Sequence, residues 1–268
     1  MKVGFIGVGN MGSALCKSIA LNDDIELFIS NYSLEKAERL LTQLHHPDAY
    51  LMDNAQIVAQ SDFVFIGLKP NLILDELARL TKVANPNITW VSMAAGIDLM
   101  QLTKAANQQA VIRIMPNTPV EIGFGMTTYA ANDYVTQSNM NAFKQLMIPT
   151  GTIIELPEIQ IDAATAIAGC GPAFVYQMIE ALSDAGVKIG LPRALAQRLA
   201  TQTLIGSAQM VEQTAQHPGA LKDAVTSPGG STIAGVTALE ANGFRHATIE
   251  AVVKAFERTQ QLKEEKRG

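Results

Sequence analysis

The sequence predicts an α/β protein with a mostly parallel, doubly wound sheet in its N-terminal half, followed by an all-α domain. Short apolar runs alternate with helix-like segments in the first half, which is typical of a parallel sheet covered on both faces. A glycine-rich turn directly follows the first apolar run. After Pro157 only long Ala-, Leu- and Met-rich segments follow. We therefore expect one domain over residues 1–157 and a second over residues 158–268.

The composition excludes several classes of protein. The 268 residues are 48% hydrophobic and 17% charged, with a net charge of −5 and no long run of either sign. We therefore expect neither a nucleic-acid nor a membrane partner. Cys16 and Cys170 lie far apart in small, apolar surroundings, which predicts no metal site and no disulfide framework. Without a secretory leader pattern or an apolar run of bilayer length, a soluble, cytoplasmic protein is expected.

Eight strands are predicted in the first domain from apolar runs that end at Gly, Pro or polar residues. Their expected ranges are Lys2–Val8, Ile25–Ser30, Ala49–Met52, Asp62–Leu68, Ile88–Ala94, Val111–Met115, Gly125–Ala130 and Thr152–Leu156. The clearest helices between them are Asn10–Leu21, a helix capped by Ser33, and one over about Val135–Leu146.

The second domain is predicted to contain helices only. They are expected at Ile161–Ala168, Pro172–Gly186, Arg193–Thr214, Gly219–Val225, Ile233–Asn242 and His246–Lys266. Several of them, above all Arg193–Met210, are apolar on more than one face. Such a surface is usually covered by another chain, so oligomerisation through this half is expected.

The turn after the first strand reads Gly7-Val8-Gly9-Asn10-Met11-Gly12, a G-x-G-x-x-G pattern that opens a helix. In a Rossmann-type domain, Gly7 makes the tight turn, Gly9 admits a pyrophosphate, and Gly12 lets the helix pack on the strand. We therefore predict that the first domain binds a dinucleotide through Gly7, Gly9, Asn10, Met11 and Gly12.

The end of the second strand favours NADP over NAD. NAD-binding proteins usually carry Asp or Glu there to hold the ribose hydroxyl, whereas this chain has Ser30-Asn31-Tyr32-Ser33. Glu26 comes too early in the strand to take that role. Without a carboxylate a 2′-phosphate is tolerated, and the hydroxyl and amide groups of these residues can hydrogen-bond to it. NAD is expected as a cofactor of lower preference.

Three further loops leave the C-terminal ends of strands, where ligands gather in open α/β sheets. They are Leu68-Lys69-Pro70-Asn71, Met93-Ala94-Ala95-Gly96 and Met115-Pro116-Asn117-Thr118-Pro119. Their prolines are also good strand terminators, so a purely architectural role is the alternative.

One connector in the helical half, Asp223–Glu240, has an unusual composition. Ser227-Pro228 ends the preceding helix, and Gly229-Gly230 permits a tight turn. Ser231 and Thr232 are expected to cap the next helix. The free N–H groups at such a helix start suit a small carboxylate, with the Thr232 hydroxyl beside them. An ordinary helix corner without a ligand is the alternative.

This connector closely resembles the signature loop of pyrroline-5-carboxylate reductases. The three strand-end loops are similar to segments of that family, as are Ala168–Ala173 and Gly186–Pro192; Cys170 stands where the family usually has serine. The resemblance therefore extends from Gly7 to Glu240.

The resemblance implies hydride transfer from NADPH to the C=N carbon of 1-pyrroline-5-carboxylate, giving L-proline. Ser227, Gly229, Gly230 and Ser231 would hold the substrate carboxylate, and Thr232 would face the ring nitrogen as the catalytic residue. Leu68, Lys69, Pro70, Asn71, Ala95, Gly96 and Asn117 would line the ribose and nicotinamide. A homodimer through the C-terminal helical domain, or a higher oligomer, is also implied.

Two other functions are alternatives to this interpretation. β-Hydroxyacid dehydrogenases share the N-terminal pattern but need a catalytic lysine soon after a glycine pair, and none follows Gly171 before Lys188. A non-catalytic NADP-binding regulator is the other candidate, although such a protein would have little use for a carboxylate site.

Overall fold

The structure, a computed structural model, describes residues 1–264 and contains one eight-stranded sheet. The strand order is β3-β2-β1-β4-β5-β6-β7-β8, and only the β6–β7 pair is antiparallel. The strands are β1 Lys2–Ile6, β2 Glu26–Ser30, β3 Ala49–Leu51, β4 Phe63–Ile66, β5 Thr89–Ser92, β6 Ala110–Met115, β7 Gly125–Ala131 and β8 Gly151–Glu155. All eight predicted strands are confirmed, several with earlier ends than expected.

Helices cover both faces of this sheet. They are α1 Asn10–Ile19, α2 Leu34–Leu44, α3 Asn54–Gln60, α4 Pro70–Leu80, α5 Leu99–Ala105, α6 Gln137–Leu146 and α7 Glu158–Ala164. Phe5 packs in a core with α1, α2 and α6, whereas its neighbour Ile6 packs in a second core with α3, α4 and α5. Because successive side chains of a strand point to opposite faces, the central strands need apolar residues at nearly every position.

Beyond β8 the described chain is helical. The remaining elements are a π-helical turn Thr165–Gly169, α8 Gly171–Lys188, α9 Arg193–Thr214, α10 Pro218–Ala224, α11 Ser231–Ala241 and α12 Phe244–Glu264. The predicted helix Ile161–Ala168 is thus the end of α7 plus the π turn. The predicted end of the last helix, Lys266, lies outside the described residues.

The chain forms two compact units. One contains Met1–Cys170 and the chain from Ala255 onward, and the other contains Gly171–Lys254. The predicted division lay between residues 157 and 158. That division stays a prediction, while the compact units keep α7 with the sheet because α7 packs on β7 and bonds to β6.

The helices of the second unit bury few side chains. The buried residues of α9 are Ala196 and Ala200, and none of the residues of α11 is buried. Large apolar side chains there that are more than 36% exposed include Tyr176, Leu199, Ile205, Met210, Leu239 and Ile249. In the part of the chain that the structure describes, no helix is long and apolar enough to cross a membrane.

A cluster of charged side chains attaches α7 to the sheet. It consists of Arg113, Glu158, Asp162 and Lys263, and we call it the α7 ion-pair cluster. Arg113 is fully buried on β6, and its Nη1 and Nη2 lie 2.9 Å from Glu158 Oε1 and 2.9 Å from Asp162 Oδ1. Lys263 Nζ lies 3.0 Å from the other oxygen of Asp162. Burial alone would raise the pKa of Asp162, but hydrogen bonds from Lys263 and Arg113 outweigh it and hold the pKa below its usual range.

Asp162→Asn should therefore change the pH dependence of stability. The folded pKa of Asp162 is lowered, so its stabilisation is complete above the unfolded value of about 3.9 and is lost as the pH falls through the folded pKa. We expect the variant to lose about 1–3 kcal/mol of unfolding free energy at neutral pH. Its stability should also fall less than that of the wild type on acidification.

Urea unfolding at a series of pH values measures both effects. Asp133→Asn, at an exposed carboxylate outside the cluster, is the matched control and should keep the wild-type profile. Parallel profiles for the wild type and Asp162→Asn would contradict the role given to this carboxylate.

Candidate functional site

The turn between β1 and α1 has a backbone that requires glycine. Gly7 has a φ of +88°, which side-chain-bearing residues rarely adopt, and its N–H donates to the Ser30 carbonyl at 2.8 Å. A Cβ at Gly12 would lie 2.4 Å from the Gly7 carbonyl oxygen. A Cβ at Gly67, after β4, would lie 2.3 Å from the same oxygen. Gly67 is a residue of this turn that the sequence analysis missed.

Gly9 leaves an open approach to the start of α1. A Cβ at Gly9 would meet no atom within 4 Å. Gly9 is also the N-cap of α1, where no side chain caps the helix and the first turn contains no acidic residue. A helix start of this kind attracts an anion through its N–H groups and its dipole. Asn10 and Met11 form the first turn of this helix.

At the end of β2, the predicted ribose-binding residues hydrogen-bond to their surroundings. Ser30 Oγ donates to Asn54 Oδ1 at 2.6 Å, and the Asn31 amide accepts from Val8 N at 3.1 Å and donates to the Ser33 carbonyl. Tyr32 is fully exposed. Ser33 is the N-cap of α2 as predicted, but its side chain makes no capping bond.

Ser30, Asn31 and Tyr32 line a cavity of 470 Å³ together with Gly7 and Leu68. Asn54 lies in the same cavity and donates to Glu76 at 2.8 Å. Hydrogen bonds from Arg79, and then from Asn54, hold the pKa of Glu76 below its usual range. Asn54 is a second residue that the sequence analysis missed, since one Asn at a helix start gives no signal of binding.

A second cavity, of 420 Å³, adjoins the start of α1 and is basic. It is lined by Gly9, Asn10 and Ser13 of the turn and by Lys17, Lys36 and Arg39. Lys17 pairs with Glu121 at 2.8 Å. Lys36 and Arg39 have no ion-pair partner within residues 1–264, so their charges remain available to an anion.

The three predicted strand-end loops follow β4, β5 and β6, which are parallel neighbours in the sheet. Lys69 is the N-cap of α4, Pro70 and Asn71 are its first residues, and Gly96 has a φ of +77° next to the exposed Ala95. Because β1 pairs with β4, these loops and the glycine turn lie along one edge of the sheet.

Asn117, in the third loop, is only 8% exposed. Its Nδ2 donates to the Ala168 carbonyl at 3.0 Å, and its Oδ1 accepts from Met126 N at 2.9 Å. The side chain of Asn117 therefore holds the loop to the π turn and to β7.

The connector between α10 and α11, in the second unit, contains a tight turn. Gly230 N donates to the Ser227 carbonyl at 3.1 Å, and Gly229 has a φ of +68°, as in a type II turn with proline second. The prediction that Ser231 and Thr232 cap α11 is wrong. Gly230 is the N-cap, because the turn places its extended backbone at the helix start, and no side chain caps this helix.

Ser231 and Thr232 instead form the first turn of α11, and both are exposed. A Cβ at Gly229 would meet no atom within 4 Å, so the backbone is open to a ligand there. The uncapped starts of α1 and α11 thus belong to different units, α1 to the first and α11 to the second. Within the described chain, no group of His, Cys, Asp or Glu side chains is arranged to hold a metal.

Comparisons with known proteins cover nearly the whole chain. A family model described as pyrroline-5-carboxylate reductase dimerisation matches residues 158–262, and one described as NADP oxidoreductase, coenzyme F420-dependent, matches residues 2–96. The chain is 38% identical over 266 residues to the pyrroline-5-carboxylate reductase of Escherichia coli, covering 97% of this chain and 98% of the relative. It is 45% identical over 210 residues to that of a Synechocystis species, covering 78% of each.

Solved structures agree with these relatives. The pyrroline carboxylate reductase of Plasmodium falciparum with NADP bound matches with a TM-score of 0.86 at 33% identity, covering 98% of each chain. The 1-pyrroline-5-carboxylate reductase of Streptococcus pyogenes matches with a TM-score of 0.84 at 35% identity, covering 97% of this chain and 98% of that one. Because the identity to these reductases extends over nearly the whole length of both chains, the chain belongs to the pyrroline-5-carboxylate reductase family.

Proposed function

We propose that this protein reduces 1-pyrroline-5-carboxylate to L-proline with NADPH, the last step of proline biosynthesis. The observation that carries the proposal is the match to such reductases over nearly the whole chain. The open helix starts of α1 and α11 support it, since the cofactor and the substrate each carry an anionic group that such a start can hold. Two free cysteines, Cys16 and Cys170, support a reducing cytoplasm as its location.

The glycine turn fits the cofactor. Gly9 is open where a pyrophosphate would approach, whereas Gly7 and Gly12 are close-packed and keep that backbone in place. NADPH, when bound, supplies the hydride. The residues proposed to hold it are Gly7, Gly9, Asn10, Met11, Gly12, Ser30, Asn31, Tyr32, Leu68, Lys69, Pro70, Asn71, Ala95, Gly96 and Asn117.

The connector before α11 is proposed to hold the substrate. Ser227, Gly229, Gly230 and Ser231 would surround the carboxylate of the cyclic imine, with the N–H groups of Gly229 and Ser231 as donors, while the Gly230 N–H closes the turn on the Ser227 carbonyl. Thr232, in the exposed first turn, would hydrogen-bond to the ring nitrogen. The protonated imine already accepts hydride readily, so the protein mainly has to orient it, which can lower a barrier by several kcal/mol.

Thr232→Val keeps the shape of the side chain and removes its hydroxyl. We expect turnover with 1-pyrroline-5-carboxylate to fall about 10- to 100-fold, as for loss of a hydrogen bond to a charged group. Thr232→Ser restores the hydroxyl and should recover most of the rate, while the Kd for NADPH should not change in either variant. Equal turnover in Thr232→Val and the wild type would remove Thr232 from the mechanism.

The basic cavity beside α1 predicts which residues select NADPH. Replacing both Lys36 and Arg39 by Gln removes the two unpaired charges and should raise the KM for NADPH on the order of 10-fold. The KM for NADH, which lacks the 2′-phosphate, should stay unchanged. Lys82→Gln, at an exposed lysine outside the cavity, is the control. A wild-type preference for NADH would overturn the cofactor assignment.

The exposed apolar helices of the second unit support a homodimer through the C-terminal helical domain, with further assembly possible. Light scattering at micromolar concentration should give at least twice the mass of one chain. Ile205→Glu, on α9, should shift the population toward single chains, because the interface of the proposed dimer would bury the new charge. Met100→Glu, at an exposed apolar residue of the first unit, should not. A monomeric wild type would refute the homodimer.

A further inference from the structure

The π turn after α7 supports the third strand-end loop through one side chain. Cys170 N donates to the Thr165 carbonyl at 3.0 Å, a bond five residues back that widens the helix. The Ala168 carbonyl in this turn accepts from Asn117 Nδ2. Since Asn117 Oδ1 accepts from Met126 N, the same side chain also holds the start of β7. Three separate segments therefore meet at one buried amide.

A second attachment joins the same two segments a few residues earlier. Arg113 lies four positions before Asn117 in the chain and bonds to Asp162, six positions before Ala168. Its other amino group bonds to Glu158, one turn earlier on α7. The β6 end and the α7 end are thus connected at two buried points, on either side of Pro116. Moving the loop would break buried polar contacts at one point or the other, which is costly.

We propose that Asn117 is a positioning residue that holds the loop 115–119 in place for the nicotinamide half of the cofactor, and that the α7 ion-pair cluster acts with it. This inference rests on the proposed function, in which NADPH lies along this edge of the sheet. In this account the side-chain amide of Asn117 hydrogen-bonds to the protein backbone, and the loop that it holds contacts the cofactor. Both ends of the amide are engaged at 3.0 Å or less and the residue is buried, as expected of a structural support.

The test compares binding of the whole cofactor with binding of its adenosine half. Adenosine 2′,5′-bisphosphate carries the adenosine half alone, whereas NADPH carries both halves. For Asn117→Ala we expect the Kd for NADPH, from calorimetry, to rise on the order of 10-fold, with the Kd for the bisphosphate within about twofold of the wild type. An unchanged ratio of the two Kd values would overturn the proposal.

Asn132→Ala is the matched control. Asn132 also joins β6 to its neighbours through its amide, accepting from Val111 N and donating to the Gln109 carbonyl, but at the opposite end of the strand. It should lower the melting temperature as Asn117→Ala does and leave the ratio of the two Kd values unchanged. If it changed the ratio equally, the effect would be general loss of stability and the proposal would fail.

Arg113→Lys distinguishes positioning from direct contact with the ring. Lysine keeps the buried charge but lacks the planar fork whose two amino groups reach Glu158 and Asp162 separately, so the attachment is weakened far from the cofactor edge. Positioning predicts a smaller change of the Kd ratio in the same direction, and a double variant no worse than Asn117→Ala alone. An unaffected ratio in Arg113→Lys, or strictly additive effects, would overturn the proposal. A wild type that binds neither ligand would instead refute the proposed function itself.

Discussion

The close approach of three backbone segments at the Gly7 carbonyl is the constraint on which the cofactor edge depends. The first turn of α1 and the residue after β4 both lie so near this oxygen that a single Cβ at Gly12 or Gly67 would collide with it. The contact holds the start of α1 close to the end of β1. The sheet fixes the positions of the other proposed cofactor loops relative to this turn, because β2, β4 and β5 lie in the same sheet as β1.

The second unit packs differently, because few side chains of its helices are buried within the unit. Small residues such as Ala196 and Gly186 bring α8 and α9 together, and a Cβ at Gly186 would lie 2.8 Å from the Ala196 side chain. The large apolar residues of these helices stay exposed. Unlike the sheet domain, this unit depends on further contacts to bury its apolar surface.

The sequence predicted the elements that follow from local pattern and missed those that follow from tertiary pairing. The central strands β1, β4 and β5 could be predicted because a buried parallel strand needs an apolar residue at nearly every position. The partners of Arg113 could not be predicted, because they lie 45 and 49 positions away and a lone arginine in an apolar strand does not indicate which carboxylates it will contact. The N-cap of α11 was misplaced because Ser and Thr are the commoner caps, while the Gly229 turn decided in favour of Gly230. Asn117 was predicted from its loop, but its bond to Ala168 depends on the π turn, which no pattern indicates.

Isotope transfer tests the central claim, direct hydride reduction of the cyclic imine, most directly. The protein is supplied with 1-pyrroline-5-carboxylate and NADPH deuterated at C4 of the nicotinamide, using each of the two stereoisomers separately. A fixed cofactor edge presents one face of the ring, so the account predicts proline that carries deuterium at the former C=N carbon from one isomer only. Proline that is unlabelled with both isomers, or bound NADPH that yields no proline, would contradict it.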